Sequence, residues 1–296
     1  MPKYQVAGLV IHMDESTPAE LFEGLIDYNV SEPQAADLCF TYQTSEQIDL
    51  PQGENFSDES SGYKCIKKPN AAGFYFYTRK YGSVEEILVL LDIDAAWRNV
   101  GLTCAAIQEK NELEESYVRM KLRHTAFTLM GIVFRHALLK QQGLVIHASA
   151  IKWQDKAIMF TAPSGTGKST QSRLWQEHKE NVLVLNDDNP AVRIMEDHVI
   201  VYGTPWSGSS NINTNDSAPL SAVIILEQAA ENSIRRMDLR EAIIQFMPRA
   251  FLPFFDQEHM NEAMRIFEKI VSSVPVYLLR CRPDQEAVEL VYQCIK

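Results

Sequence analysis

The run from Ala162 to Thr170, APSGTGKST, has residue types suited to phosphate chemistry. Its two glycines allow successive backbone N–H groups to turn inward around an anion, and Lys168 can bridge terminal phosphates. The hydroxyl of Ser169 suits a Mg²⁺ ligand. The run fits a Walker A phosphate loop in which alanine replaces the usual first glycine.

We therefore expect this loop to bind the phosphates of ATP, or of another nucleoside triphosphate, together with Mg²⁺. The apolar strand before the loop and the helix-forming stretch after it are the context that the motif requires. The predicted nucleotide-binding residues are Ala162, Pro163, Ser164, Gly165, Thr166, Gly167, Lys168, Ser169 and Thr170.

Two adjacent carboxylates, Asp187 and Asp188, follow a short apolar strand about twenty residues after the loop. Adjacent residues that leave a strand point in different directions, so they can serve different purposes. One of them can hold Mg²⁺, directly or through water, and the other can accept a proton from an attacking hydroxyl. A simple turn is the alternative interpretation of this Asn-Asp-Asp-Asn-Pro run.

His147 lies on a predicted strand shortly before the loop. If the strand leads towards the mouth of the loop, His147 can assist proton transfer or bind phosphate, since histidine titrates near neutral pH. We therefore predict His147 and Lys168 as catalytic residues, together with one of the two aspartates. A core or surface histidine without a chemical role is the alternative for His147.

The elements that must position these residues alternate between strands and helices after residue 144, which predicts an α/β domain there. Val145–Trp153 and Ala157–Ala162 are expected to form a hairpin that leads into the loop. The further predicted elements are strands 182–186, 191–194, 199–202, 222–226 and 276–280 and helices 168–178, 239–247, 257–272 and 284–295.

The short strand-like runs in residues 1–115 predict a smaller, mostly-β domain there, so the whole chain is expected to be α+β. Tyr4–His12, Phe74–Arg79 and Ile87–Leu91 have strand character, a hairpin turn is expected at 80–83, and 52–61 is expected to be an exposed loop. A connecting helix is predicted over 116–143, with its pattern running from Glu114 to Gln141. The P-loop domain is then 144–296.

Charge is distributed unevenly along the 296 residues. Residues 1–115 carry 8 basic and 20 acidic residues, a net charge of −12, which leaves +1 for the remainder of the total of −11. The acidic part argues against nucleic-acid binding. The five scattered cysteines favour a reducing cytoplasm, and we expect no signal peptide and no membrane interaction.

The order of these motifs, with Ile-His-Ala-Ser-Ala, the phosphate loop and Asp-Asp, resembles the C-terminal domain of HPr serine kinase/phosphorylase over residues 144–230. The loop and paired aspartates are also similar to phosphoenolpyruvate carboxykinase. The loop and Gly-Thr-Pro-Trp are similar to HPr-kinase-related proteins near peptide-modification genes, whose substrates differ. The resemblance implies Asp187 as general base toward a serine hydroxyl, Asp188 near the metal, and a homo-oligomer.

The sequence departs from the HPr kinase pattern after the aspartates, where Gly203–Gly208 contains no acidic residue. A second metal-binding carboxylate is therefore missing there, and Trp206 can offer a stacking face to a different acceptor or pack in the core. Downstream arginines can balance phosphate charge or lie exposed, namely Arg235, Arg236 and Arg249.

Three hypotheses for function follow. The first is an ATP-dependent phosphotransferase acting on a protein or peptide serine or on a small-molecule hydroxyl. The second is a nucleotide-binding regulatory or scaffold protein without turnover, which the missing acid favours. The third is a carboxylase or decarboxylase related to phosphoenolpyruvate carboxykinase.

Overall fold

The computed structural model describes residues 1–31, 34–57, 62–79, 86–107, 111–196 and 198–296. In these residues the protein is a mixed α/β structure with two β-sheets and several α-helices. The chain divides into two compact units, Met1–Ala137 and Leu138–Lys296. The division into a domain at 1–115, a helix at 116–143 and a domain at 144–296 stays a prediction.

An eight-stranded sheet forms most of the first unit, with the strand order β1-β2-β3-β8-β7-β6-β5-β4. The strands are β1 (Lys3–Val6), β2 (Leu9–Met13), β3 (Leu38–Ser45), β4 (Glu54–Asn55), β5 (Lys64–Lys67), β6 (Gly73–Arg79), β7 (Ile87–Asp94) and β8 (Asn99–Ala105). Helix α1 (Glu112–Leu139) follows β8, close to the predicted 114–141. Within the unit, His136 of α1 stacks on the buried Trp97 at 4.2 Å between ring centroids.

Some expectations for the first unit are corrected by the structure. The predicted strand Tyr4–His12 is a hairpin, because Ala7 and Gly8 adopt positive φ values of 49° and 83° and turn the chain between β1 and β2. Strands β6 and β7 pair antiparallel, as two arms of a hairpin do. The predicted turn at 80–83 lies outside the described residues, as do residues 58–61 of the predicted loop 52–61.

The second unit contains a nine-stranded sheet with the order β12-β10-β11-β15-β14-β13-β9, where β17 also pairs with β15 and β16 with β17. Its strands are β9 (Gly143–Val145), β10 (Ser149–Trp153), β11 (Lys156–Thr161), β12 (Val182–Asn186), β13 (Ala191–Met195), β14 (His198–Tyr202), β15 (Ser217–Gln228), β16 (Ser233–Arg236) and β17 (Val276–Cys281). Its further helices are α2 (Lys168–His178), α3 (Leu239–Phe246), α4 (Gln257–Ser273) and α5 (Gln285–Ile295).

Strand β11 lies inside this sheet and is buried on both faces. Met159 packs in a core with residues of α3 and α4. Ile158 and Phe160, which point to the other face, pack in a second core with residues of α2 and α5. A strand covered on both faces has a continuous apolar sequence, as Ala-Ile-Met-Phe does here. The helices on both faces fix the end of β11, from which the phosphate-loop motif continues.

The predicted strand Val145–Trp153 is interrupted. Ile146 and Ala148 are fully buried, but their backbone N–H groups leave the strand pairing and bond to other segments. The N–H groups of residues 146, 147 and 148 donate to the carbonyl oxygens of Pro190, Arg249 and Asp188. The interruption separates β9 from β10 and presents His147 beside the aspartate pair.

In the parts of the chain that the structure describes, no helix is both long and apolar enough to cross a lipid bilayer. The longest of them, α1, has 28 residues and carries ion pairs along its surface. Arg119 pairs with Glu20 at 3.0 Å and Arg123 pairs with Glu23 at 2.8 Å, both within the first unit.

We predict that Phe160→Ala lowers the free energy of unfolding by about 3–5 kcal/mol, since it removes a fully buried ring and leaves a cavity between β11, α2 and α5. Urea denaturation followed by tryptophan fluorescence measures this change. Phe254→Ala is the matched control, because its ring is 81% exposed, and it should change stability by no more than about 0.5 kcal/mol. Equal stabilities of the two variants would contradict the prediction.

Candidate functional site

The phosphate-loop motif connects β11 to α2 by a sharp turn. Gly165 and Gly167 have φ values of 78° and 121°, which residues with a Cβ atom rarely adopt. Gly167 is also the N-cap of α2 and provides no side chain to cap its first N–H groups. The start of α2 therefore offers unpaired N–H groups and the positive end of the helix dipole to an anion.

A cavity of about 420 Å³ lies over this helix start. Four segments that are distant in sequence form its wall, and they include most of the predicted site residues. The lining residues are His147, Ser164, Gly165, Gly167, Lys168, Ser169, Thr170, Asp187, Asp188, Ser207, Gly208, Ser209 and Ser210. The fold thus brings the loop, the histidine and both aspartates around one space.

The ammonium of Lys168 is held inside the protein, since the residue is only 8% exposed. Its Nζ lies 3.3 Å from the carbonyl oxygen of Ala162 and 3.0 Å from Nε2 of His147. An ammonium has three N–H donors, so these contacts leave one for an anion in the cavity.

His147 links Lys168 to the aspartate pair. Its Nδ1 lies 3.1 Å from Oδ1 of Asp188, while Nε2 faces the lysine ammonium. A neutral ring with its proton on Nδ1 satisfies both contacts, because Nδ1–H donates to the carboxylate and Nε2 accepts from Lys168. The hydroxyl of Thr161 donates to the carbonyl oxygen of His147 at 2.9 Å and so fixes its backbone to the end of β11.

The two aspartates have different surroundings, as expected for residues that leave a strand. Asp187 is buried, and its Oδ1 accepts a hydrogen bond from Ser149 Oγ at 2.7 Å. Asp188 is more exposed, and its Oδ2 accepts from Asn189 Nδ2 at 2.6 Å. One carboxylate is thus held by a hydroxyl inside the protein, and the other lies beside the histidine.

Burial and the neighbouring polar and charged groups shift the pKa values of two residues that line the cavity. Burial lowers the pKa of Lys168, opposed by the charge of Asp188 and reinforced by that of Arg249. Burial acts to raise the pKa of Asp188, but its hydrogen bonds with His147 and Asn189 and the charge of Lys168 outweigh this effect. The pKa of Asp188 is therefore lowered, which favours a charged carboxylate at neutral pH.

Two buried serines that sequence reasoning missed support Asp187. The Oγ atoms of Ser149 and Ser172 lie 2.6 Å apart, and Ser149 also donates to the carboxylate. Ser149 is at the start of β10 and Ser172 is in the second turn of α2, so the contact joins that strand to the helix that carries Lys168. A serine inside an apolar strand gives no local signal of such a contact.

Asn186, the last residue of β12, was also missed as a site residue. Its Oδ1 accepts from the backbone N–H groups of Asp188 and Asn189 at 2.8 and 2.6 Å, and its Nδ2 donates to the carbonyl oxygen of Thr204 at 2.7 Å. Asn186 thus shapes the turn of the aspartate pair. The sequence signal for this role is that an asparagine side chain can accept hydrogen bonds from the backbone N–H groups of the residues that follow it.

Gly203 explains part of the Gly-Thr-Pro-Trp motif. A Cβ atom there would lie 1.9 Å from the carbonyl oxygen of Thr214 and 2.5 Å from that of Leu185. Trp206 is partly buried and is not among the described residues that line the 420 Å³ cavity.

A second cavity, of about 440 Å³, borders the same loop. It shares Gly165, Gly167 and Thr170 with the first cavity. Its remaining lining residues are Thr166, Gln171, Leu226, Gln228, Ala229, Cys281, Arg282 and Pro283. The phosphate-loop motif is therefore bordered by a polar space at Lys168 and by a second space at the ends of β15 and β17.

Residues 103–291 match the family model described as SynChlorMet cassette protein ScmC, which covers more than half of the chain. The chain belongs to this family. Among solved structures, the HPr(Ser) kinase/phosphatase from Coxiella burnetii is similar over 51% of this chain and 87% of that chain, with 12% identity and a TM-score of 0.32. A TM-score of this size does not establish a common fold or activity. The comparison with curated proteins gives no significant match.

Every residue of the two cavities lies within the range matched by the ScmC family.

Of the three downstream arginines, Arg249 is close enough to Lys168 to affect its pKa, and its backbone carbonyl accepts from His147 N–H at 2.7 Å. Arg235 instead forms a surface ion pair with Glu241. Ala162 and Pro163 are not among the described residues that line either cavity, although the Ala162 carbonyl contacts Lys168.

We predict that Ser149→Ala lowers the free energy of unfolding by about 1–3 kcal/mol, because Asp187 Oδ1 and Ser172 Oγ both lose a partner inside the protein. Urea denaturation measures the change. Ser273→Ala, which removes a hydroxyl from the exposed end of α4, is the control and should change stability by no more than about 0.5 kcal/mol. A Ser149→Ala variant as stable as this control would refute the structural role of the contact.

Proposed function

We propose that this chain binds a nucleoside triphosphate with Mg²⁺ and transfers its terminal phosphoryl group to a hydroxyl acceptor. The observation that carries the proposal is the convergence of Lys168, the start of α2 and the carboxylates Asp187 and Asp188 on one polar cavity. These are the parts that phosphoryl transfer requires, namely phosphate binding, a metal ligand and a group that orients the attacking hydroxyl.

The phosphate-binding part of the proposal is supported by the backbone. The glycine conformations at 165 and 167 and the uncapped start of α2 place N–H donors along the cavity. Lys168 adds a cation whose position is fixed by Ala162 and His147. An anion of high charge, such as a polyphosphate, gains most from this combination of helix dipole and ammonium.

The residues present fit a Mg²⁺ ion, for which Ser169 and Asp188 would be the protein ligands. Mg²⁺ prefers oxygen ligands and usually keeps several waters, with one or two carboxylates and substrate phosphates completing its coordination. Within the described ranges, no group of three or more histidine, cysteine, aspartate or glutamate residues has a metal-binding arrangement. A hydroxyl and one carboxylate nevertheless suffice for a metal that is held partly by phosphate. When bound, the ion would neutralise charge on the transferred group.

In this proposal Asp187 accepts the proton of the acceptor hydroxyl. It lines the cavity while Ser149 holds one of its oxygens, so the carboxylate has a fixed orientation. His147 supports both Lys168 and Asp188, and the predicted direct role of His147 in proton transfer stays part of the proposal. The acceptor class is a protein or peptide serine or a small-molecule hydroxyl.

The second cavity supports a nucleotide rather than a free polyphosphate as the phosphate source. It adjoins the same loop, and a volume of about 440 Å³ falls within the common range for small-ligand pockets. The finer fold expectation, a P-loop domain arranged as in HPr kinase and phosphoenolpyruvate carboxykinase, belongs to this proposal. It is supported by the order of β11, the loop, α2, β12 and the aspartate pair.

Calorimetry of ATP binding with and without Mg²⁺ tests the proposal. We expect Mg²⁺-dependent binding that Lys168→Ala weakens by roughly 10- to 100-fold, since a hydrogen bond to a charged group contributes about 1.5–3 kcal/mol. Lys179→Ala is the control, because Lys179 follows the other end of α2 and pairs there with Glu289. Absence of ATP binding by the wild type would refute the nucleotide site.

The variant Asp187→Asn separates ATP binding from phosphoryl transfer. We expect this variant to bind ATP while transfer to an acceptor hydroxyl is lost, because the amide cannot accept the proton as a carboxylate does. Binding without transfer by the wild type, over a panel of serine peptides and small hydroxyl compounds, would favour a nucleotide-binding regulatory protein instead.

The lowered pKa of Lys168 predicts that binding of inorganic tripolyphosphate weakens as the pH rises, already at pH values below the range where an ordinary lysine with a pKa near 10.4 loses its proton. The bound anion favours the charged ammonium, so binding takes up a proton in this window. Calorimetry in buffers of different ionisation enthalpy measures that uptake. Lys168→Arg should bind without the alkaline decline, because guanidinium stays charged. A decline of equal size in both proteins would contradict the assignment to Lys168.

A further inference from the structure

The loop Ser207–Asn213, called here the serine loop, is fixed to the strand that carries the aspartates. Asp187 N–H donates to the carbonyl oxygen of Ile212 at 3.1 Å, and Asn213 forms an isolated β-bridge with Asn186. Both contacts involve the backbone at the end of β12. The distance between the serine loop and the aspartate pair is therefore set by hydrogen bonds within the site.

Gly208 brings the serine loop into direct contact with Asp188. A Cβ atom on Gly208 would lie 2.7 Å from Asp188 Oδ2, and its φ of 63° is a further reason for glycine at this position. Ser209 is the next residue, and consecutive Cα atoms lie about 3.8 Å apart. The backbone of Ser209 is thus held one peptide unit from a contact with the aspartate pair.

The hydroxyls of the serine loop differ in what they already bind. Ser207 Oγ accepts from Asn213 Nδ2 at 2.9 Å, and Ser210 Oγ donates to the carbonyl oxygen of Ser207 at 2.9 Å. In the part of the chain that the structure describes, Ser209 Oγ has no hydrogen-bond partner, although Ser209 lines the 420 Å³ cavity and is exposed. Its hydroxyl is free to react.

We propose that Ser209 is a phosphorylation site that this chain modifies itself, within one molecule. The proposal rests on the proposed function. In the step, Ser209 Oγ attacks the terminal phosphorus of the nucleoside triphosphate and a new oxygen–phosphorus bond forms. The bond from that phosphorus to the bridging oxygen breaks, and the nucleoside diphosphate leaves with the electron pair. The proton of Ser209 passes to the Asp187 carboxylate and then to solvent.

The arrangement of the cavity supports this step. Lys168 and the start of α2 lie on one part of the wall, and the serine loop and Asp187 lie on others. A terminal phosphate held by Lys168 is therefore inside the space that Ser209 borders, and transfer needs an approach of the acceptor oxygen to about 3–3.5 Å.

The product would limit its own formation. A phosphoserine carries about −1.5 to −2 charge at neutral pH, which here would stand beside Asp188 and in the space of the next triphosphate. We therefore expect one phosphate per chain and weaker ATP binding by the modified protein.

Incubation of the purified full-length chain with ATP and Mg²⁺, followed by intact-mass analysis and peptide mapping, tests the inference. The expected result is one phosphate per chain, mapped to Ser209, at a first-order rate that does not change on dilution of the protein. Ser209→Ala should lose this incorporation. Ser233→Ala, which changes an exposed serine on β16, is the matched control and should retain it.

Calorimetry of ATP binding on the same preparations separates the two proposals. Failure of the wild type to bind ATP overturns both the proposed function and this inference. Binding with no phosphate on the chain, with phosphate on another residue such as Ser164, or with a rate that scales with protein concentration overturns this inference alone. Asp187→Asn should bind ATP and stay unmodified, and phosphorylation of that variant at the wild-type rate would exclude the step as written.

Discussion

The candidate site depends on keeping the ammonium of Lys168 charged while it is largely removed from water. An unpaired buried charge is very unfavourable, so the surrounding groups must compensate for it. The carbonyl oxygen of Ala162 and the ring of His147 contact the ammonium, and His147 in turn contacts Asp188. Each contact shares a residue with the next, so the loop, the interrupted strand and the aspartate pair fix one another. Loss of one of these residues leaves its neighbour in the chain of contacts without a partner.

The elements around the phosphate-loop motif could be predicted from sequence because their signals are local. Helix α2 and strand β12 have the predicted bounds, 168–178 and 182–186, since glycines, a short apolar run and the Asp-Asp turn delimit them. The prediction of one strand over 145–153 was wrong for a physical reason. Ile146 and Ala148 continue the apolar pattern because they are buried, but burial does not require strand pairing, and their N–H groups bond elsewhere.

The polar contacts within the site could not be predicted in the same way. Ser149 and Ser172 are 23 positions apart and meet only after β10 and α2 have packed together. Asn186 was visible as part of a turn sequence, but its contact with Thr204 depends on where the chain returns. In the first unit, short strands such as β4, with two residues, have too few positions for a periodic pattern to indicate them.

The pairing of strand β15 with several neighbours limits where residues can be inserted into or deleted from this chain. Its twelve residues pair with β14 near Ser217 and with β11 and β17 further along, and its end at Gln228 borders the second cavity. Side chains alternate between the two faces of a strand, so one inserted or deleted residue would exchange the faces of every residue beyond it. Insertions and deletions in related sequences should therefore be confined to the connections on either side of β15, and the strand itself should keep a constant number of residues.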